Sequence, residues 1–412
     1  MASTSPSQVR PSDPQAGGLE PGGRAGQPQD VSRVRERILK LERTLNDIVI
    51  GHEDAVRALI LASVAGEHAV LIGPPGVAKS YLVKTFAKLV NARYYQYLLT
   101  KFTSYDELFG SIDVVALTRG EYRRNWSRII TADIIFLDEI FKANSAILNA
   151  LLSLLQERVV YDPMTGSEIQ ASLHTAVGAS NETPEDPELM ALYDRFALRV
   201  FMNYLMDDVS IFRALSRALE TKWVDGNKLE PIMSINDLKV MNSYAISLLR
   251  STIKGVGDVW KVYHTTFLPF YKTFRNKGVI VSDRTIIEKM PKIFAAYLAV
   301  YGVTLDNIMN APFELLPLTA HSRQEAIEIK KAMDESLGEV AELARKLEEA
   351  KKHIRAYDFK TAKDKLVDIL NYDVNRLASK PWLKPRVEAI LSSAREYLQR
   401  IEEVIQQLKV EE

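Results

Sequence analysis

Residues 73–80 read GPPGVAKS, directly after the apolar run Ala69-Val70-Leu71-Ile72. An apolar run closing on a Gly-rich stretch predicts a buried strand that turns sharply into a helix. Loops of this kind hold phosphate by aiming backbone N–H groups at its oxygens from a helix start, with a lysine for β/γ charge and a hydroxyl for Mg²⁺. Gly73, Lys79 and Ser80 fit the pattern G-x-x-x-x-G-K-[ST], and Ala78 stands where the second glycine is expected. Pro74, Pro75, Gly76 and Val77 complete the candidate cradle. Ala78 adds a methyl group where backbone and nucleotide meet, which the loop tolerates only if that residue keeps a negative φ. A Pro-Gly turn before a helix with a chance lysine is the competing reading.

A second element shifts the balance. IIFLDEI (134–140) is a buried strand ending in two carboxylates, which suits Mg²⁺ at Asp138 and activation of the attacking water by Glu139. Further strands over Tyr94–Leu99 and Thr175–Ala179 alternate with helices, and that alternation predicts an α/β layer with a parallel sheet. The first 30 residues are rich in Ser, Pro and Gly and are expected to form a disordered tail. A nucleotide-binding core is then expected over 31–204, opened by a helix with Val34, Ile38, Leu41 and Leu45 on one face. Helical periods alone predict an all-α domain over 205–320.

Over 321–412 the chain turns rich in Lys, Glu, Ala and Leu. The spacing Val387, Leu391, Ala394, Leu398, Ile401, Ile405, Leu408 is that of a coiled-coil seam. With Pro381 and Pro385 as breakers and helices near 323–354 and 358–378, it predicts a C-terminal helical bundle or arm.

Composition removes whole classes of chemistry. The chain of 412 residues is long enough for two or three domains, and Lys+Arg and Asp+Glu both number 53, so no global field draws in nucleic acid or an anionic membrane. It has no cysteine, which rules out disulfides, thiolate zinc sites and thiol nucleophiles, and its 6 histidines lack ligand spacing. No secretory signal and no apolar run of about 18 residues is found, so a soluble cytoplasmic protein is expected.

The order of these phrases resembles the AAA+ ATPases, and within them the MoxR family, most closely its RavA-type branch. The resemblance spans about residues 45–300 and rests on GPPGVAKS, FTSYDELFG (102–110), FLDEIFKANSAILNALLSLLQER (136–158), GASNE (178–182), LYDRF (192–196) and VSDRT (281–285). Ala in place of the second loop glycine belongs to the RavA-type pattern. The resemblance implies an AAA+ P-loop core with an all-α lid, ATP and Mg²⁺ as cofactors, and Ser80 and Asp138 as the metal ligands. It makes Asn181 the sensor-1 residue, where the residues alone also allow a turn.

Arg195 becomes an arginine finger toward the neighbouring subunit, with Arg199 as an accessory, although Asp194-Arg195 also reads as a surface ion pair. Arg284 becomes sensor 2, feeling the nucleotide in cis, while Ser282 or Asp283 caps its helix. Ile50, Gly51 and His52 fall at the base pocket between core and lid, where His52 alone reads as a surface residue.

Two stretches are expected to transmit force. Residues 110–131 resemble the helix-2 insert of MoxR proteins, magnesium chelatase and MCM-type helicases, and residues 158–175 predict a β-hairpin turning at Pro163–Gly166. Arg123, Arg124 and Arg128 with Trp126 are either a solvated face or a contact for nucleic acid or an acidic partner. The resemblance implies a hexameric, chaperone-like ATPase that remodels protein complexes beside a von Willebrand factor A domain protein. Nucleic acid is not expected as a partner, and a nucleic-acid motor of MCM or McrB type is the alternative. RavA-type proteins carry a small β-rich C-terminal module, whereas this C-terminal region reads as helical, which makes its Lys/Glu-rich helices candidates for a replacement partner contact, with bracing of the ring as the alternative.

Overall fold

The computed structural model describes residues 28–219, 229–253, 257–279, 281–355, 358–379 and 383–410. The expected disordered tail lies outside them except for residues 28–30, which open helix α1 (Pro28–Ile48). Val34, Ile38, Leu41 and Leu45 are buried along one face of α1, as their spacing requires. Helix α2 (Glu53–Ala65) is buried along most of its length and stops at Gly66, whose left-handed φ of 69° lets the chain turn into strand β1 (Ala69–Ile72).

The phosphate loop and α3 (Lys79–Leu89) follow, then β2 (Tyr94–Leu98), α4 (Tyr105–Phe109), α5 (Val114–Thr118) and β3 (Ile134–Asp138). Helix α6 (Ser145–Glu157) leads into the antiparallel hairpin β4 (Val159–Tyr161) and β5 (Glu168–Gln170), where the sequence places it. Strand β6 (Thr175–Ser180), α7 (Pro187–Tyr193) and β7 (Leu198–Phe201) close the layer.

Five parallel strands stand in the order β2-β3-β6-β1-β7. The pleat sends alternate side chains to opposite faces. Leu71, Ile134, Phe136 and Val177 enter one apolar cluster, and Val70, Ile135, Leu137 and Ala176 enter another. Both faces are therefore covered, as a parallel sheet demands. The fifth strand, β7, is absent from the sequence reading, because Arg199 interrupts its apolar run.

After β7 come α8 (Asp208–Ala218), α9 (Ile235–Leu249), a ribbon of β8 (Thr252–Ile253) with β9 (Gly257–Asp258), α10 (Val259–Asn276), α11 (Met290–Tyr301) and α12 (Leu305–Leu315). The ribbon corrects the purely helical expectation. The lid is also less separate than expected, since Leu238, Met241, Phe294 and Tyr297 share one apolar cluster with Leu41 and Leu59.

Helix α13 (Arg323–Arg355) bends at Gly338 (φ 25°) and packs with α14 (Phe359–Leu370) and α15 (Lys384–Val410) around a third cluster that includes Leu366, Val387, Leu391 and Ala394. The helix expected over 358–378 is thus divided, with a separate 3₁₀ turn at Val374–Ser379. Pro381 and the side chains of Ile405 and Leu408 lie outside what is described.

Candidate nucleotide site

The loop grows out of the carboxyl end of β1, the position at which parallel sheets bind ligands. Gly73 is required by crowding, because a Cβ there would stand 2.4 Å from the carbonyl oxygen of Met202. Gly76 is required by conformation (φ 85°), with open space around its Cα for a phosphate group. Ala78 corrects the expectation of a negative φ: it lies at φ 64°, ψ 21°, left-handed, immediately before α3. An L-residue in this region costs roughly 1–2 kcal/mol, which the loop carries in order to bring the helix start onto the strand end.

Lys79 is 9% exposed and curls back over the loop, donating from Nζ to the carbonyl of Gly73, to that of Pro74 at 3.2 Å and to Asn181 Oδ1 at 3.1 Å. Burial holds its pKa below the ordinary lysine value, against the opposing pull of Asp138 and Glu139. Asn181, at the end of β6, donates from Nδ2 to Glu139 Oε1 at 2.9 Å. Lysine, amide and carboxylate form one chain across the ends of β1, β6 and β3. The amide orientation follows from it, since only oxygen suits the ammonium and only NH₂ suits the carboxylate.

Glu139 sits left-handed (φ 52°), and its carboxylate also pairs with Lys142 at 3.3 Å. Asp138 closes β3 and accepts the Glu139 N–H at 3.0 Å, while Ser80 stands on the first turn of α3. These hard oxygen donors beside a lysine and an open Gly76 fit a Mg²⁺-nucleotide.

Beside the loop is a cavity of about 380 Å³ lined by Ile50, His52, Gly76, Val77, Ala78, Tyr81, Tyr204 and Leu205, large enough and apolar enough for a base. Gly51 (φ 77°) shapes it, because a Cβ at that position would stand 2.3 Å from Leu205 Cδ2. His52 lines the wall, and burial lowers its pKa against the effect of Glu53. Sequence reasoning missed Tyr204, which donates to the Pro75 carbonyl at 3.1 Å, and the inner face of α8 with Ala214 and Arg217. No local signal marks them, because the tertiary fold alone brings them to the loop.

The arginines lie elsewhere. Arg195 lines a second cavity with Glu67, His68, Arg158, Arg284, Glu288, Lys289 and Lys292, at the amino end of β1. That is the far end of the sheet from Lys79, about 13 Å away along four strand residues. Arg284 belongs to this second group, which corrects its placement over the nucleotide in cis. Lys289 is buried there, and burial, countered in part by Asp194, pushes its pKa down to about 8. The spacing of Arg284, Glu288, Lys289 and Lys292 along one helical stretch is a signal in VSDRTIIEKMPK that the sequence reading passed over. Ser282 does cap the turn, accepting the Thr285 N–H at 3.2 Å, and also donates to Asp194 at 2.8 Å, whereas Asp283 pairs with Arg275.

Arg199 is not an accessory finger. It is 1% exposed on β7, donating to the Thr319 carbonyl at 2.6 Å and lying 4.6 Å over the Tyr193 ring. Arg124 is likewise removed from any surface role. It is buried against Asp162 at 3.0 Å and against Asp106, binding the insert to the β4–β5 hairpin.

A five-stranded parallel layer with this loop and this carboxylate pair has the AAA+ P-loop fold. Residues 36–242 match the model of the MoxR domain in the MoxR-vWA-beta-propeller ternary systems, and the chain belongs to the MoxR family. It is 31% identical over 324 residues to an uncharacterised protein of Methanocaldococcus jannaschii, covering 74% of this chain and 82% of that one. It is 28% identical over 140 residues to the chaperone MoxR1 of Mycobacterium tuberculosis, which covers 34% of this chain and 36% of that one. A solved structure of an ATPase candidate from Cytophaga hutchinsonii superposes with a TM-score of 0.57 at 17% identity, over 74% of this chain and 96% of that one. Among the described residues no helix is long and apolar enough to cross a membrane.

Proposed function

We propose that this protein is a Mg²⁺-dependent ATPase that works as a ring of copies, a hexamer on the RavA-type resemblance, and remodels protein complexes beside a von Willebrand factor A domain protein. The observation that carries the proposal is the Lys79–Asn181–Glu139 chain. It joins charge neutralisation, water positioning and a general base in one hydrogen-bonded line. The family model's description supports the partner, and the Mycobacterium tuberculosis relative supports the chaperone role.

Ser80 and Asp138 would hold Mg²⁺, which would supply charge neutralisation for the phosphates. Lys79 exchanges its loop carbonyls for phosphate oxygens. Glu139 takes the proton of the attacking water while Asn181 fixes the direction of its carboxylate. No described arginine of the basic cavity can reach this line within one copy, so Arg195, joined by Arg284, acts on the site of a neighbour. An arginine supplied in this way is worth roughly 10³ to 10⁵ in rate.

The test is a set of single variants read by nucleotide binding and phosphate release. Lys79→Ala loses ATP binding, and Glu139→Gln binds ATP without turning it over. Arg195→Ala and Arg284→Ala bind ATP but lose turnover. In mixtures, Arg195→Ala regains turnover when combined with Lys79→Ala copies, because each supplies what the other lacks. Wild-type turnover by Arg195→Ala alone would defeat the assignment.

A further inference from the structure

Arg199 has no part in the mechanism, yet it lines a cavity of its own. This space of about 370 Å³ is bordered by α2, the edge strand β7, the end of α12 with the turn after it, and the start of α13. Phe201, Phe313, Pro317 and Leu318 give it apolar walls. Four cations, Arg57, Arg199, Arg323 and Lys330, face two acids, Asp54 and Glu314. Arg57 is taken up by Glu314 at 3.0 Å, and Arg199 has Asp194 at 3.6 Å. Arg323 and Lys330 have no ion-pair partner among the described residues. They stand about two turns apart on one face of α13, with Ala326 and Ile327 between them.

Arg199 is buried beside them, and its Nε has no hydrogen-bond partner. Burial lowers its pKa despite the pull of Tyr193, Asp194 and Glu325, so the charge is under-compensated where it lies. Apolar walls with a surplus of positive charge suit one negative group on an apolar body.

The cavity also reaches the phosphate loop. Arg323 donates to the Met202 carbonyl at 2.9 Å, and that oxygen is the one against which Gly73 is packed. The Met202 N–H in turn bonds the Ile72 carbonyl at 2.7 Å, at the root of the loop. An anion in the cavity competes with the Met202 carbonyl for Arg323, which gives this strand end two arrangements.

We propose that the cavity binds a carboxylate with a small apolar body, held by Arg323 and Lys330 with Arg199 as the buried countercharge, and that its binding loosens the phosphate loop and weakens ATP binding. The second half rests on the reading of that loop as the nucleotide site.

The test titrates the full chain, free of nucleotide, by calorimetry with phenylbutyrate as the probe. The neutral amide of the same acid and plain acetate are each expected to bind at least about tenfold more weakly, because one lacks the charge and the other the body. Lys330→Glu, at an exposed position, is expected to weaken phenylbutyrate about tenfold without moving Tm. Equal binding of acid and amide, or unchanged affinity in Lys330→Glu, would overturn the site. A tripeptide ending in phenylalanine, titrated alongside, separates a free acid from a chain end as the source: the tighter of the two names it, and binding of neither overturns the site.

Coupling is read with fluorescent ATP. Saturating phenylbutyrate is expected to lower ATP affinity about fivefold, and saturating ATP to lower phenylbutyrate affinity by the same factor. Arg323→Met, which frees the Met202 carbonyl without any ligand, is expected to show the lower ATP affinity from the start. ATP affinity indifferent to the bound acid would overturn the link to the loop. If the chain binds the acid and no ATP at all, the nucleotide reading fails and the acid site stands.

Discussion

Ala78 and His68 show how much depends on single backbone and side-chain states. Ala78→Gly removes the methyl group that resists φ 64° and is expected to raise stability by about 1 kcal/mol, seen as a higher Tm. Ala78→Val, branched at Cβ, loses stability and ATP binding together. His68 is buried, accepting the Ala176 N–H at Nδ1 (3.0 Å) and meeting the Leu155 carbonyl through Nε2 at 2.7 Å, so the neutral ring satisfies both partners. Burial first, and then Arg158, holds its pKa well below 6.5, and burial lowers that of His174 too. The unfolded chain therefore binds more protons than the folded one below pH 6.5, and stability falls as pH drops through that region. The slope is up to about 1.4 kcal/mol per pH unit for each histidine. Tm measured from pH 7.5 to 5 checks this, and His68→Gln is expected to flatten the curve.

Helix and strand elements explain what the sequence could and could not reveal. Lys79, Asp138, Glu139 and Asn181 were legible because each closes a buried strand or opens a helix, and strand ends in a parallel layer converge without help from distant packing. Strand β7 was not legible, since a fully buried Arg199 breaks the apolar pattern, and its partners, Thr319 far along the chain with Tyr193 and Asp194 close by, make that burial tolerable. Arg195 and Arg199 look alike in the sequence and are separated only by burial. Arg284 was misplaced because its position depends on how the lid packs.

The insert and the hairpin were foreseen as two stretches, yet Arg124 joins them. Burial pushes the Asp162 carboxyl up, but Tyr122, the Met164 N–H and Arg124 outweigh it and hold it below the usual range. Asp162→Ala leaves the buried Arg124 guanidinium with Asp106 and the Gly110 carbonyl but without its Nε partner, and is expected to cost about 1–3 kcal/mol. Hydrogen exchange is expected to rise in the insert and the hairpin together, and a rise in the hairpin alone would show that the two are independent.

For the whole molecule, the separation of Lys79 from Arg195 leads to a prediction about behaviour in solution. If another copy supplies the finger, as proposed, turnover per copy at saturating ATP is expected to rise with protein concentration and to level off once assembly is complete. On that reading a single copy at high dilution is expected to bind ATP and to be nearly idle. Phosphate release measured across a dilution series checks this, and turnover per copy independent of concentration would contradict it. The continuous apolar packing of α1 and α2 with α9 and α11 adds that lid and core unfold in one cooperative transition.

Placing the cation cluster and the phosphate loop at the two ends of one sheet also sets a rule of counting. If Arg195 serves the next copy, as proposed, then in any open row of copies the last phosphate site has no donor and the first arginine has no recipient, so one centre is always silent however long the row. Only a row that closes on itself leaves none. Closure therefore adds one working centre without adding a copy, and a mutation that merely prevents the final joint would be felt as a fixed deficit of one centre per assembly, largest in proportion for the shortest rows.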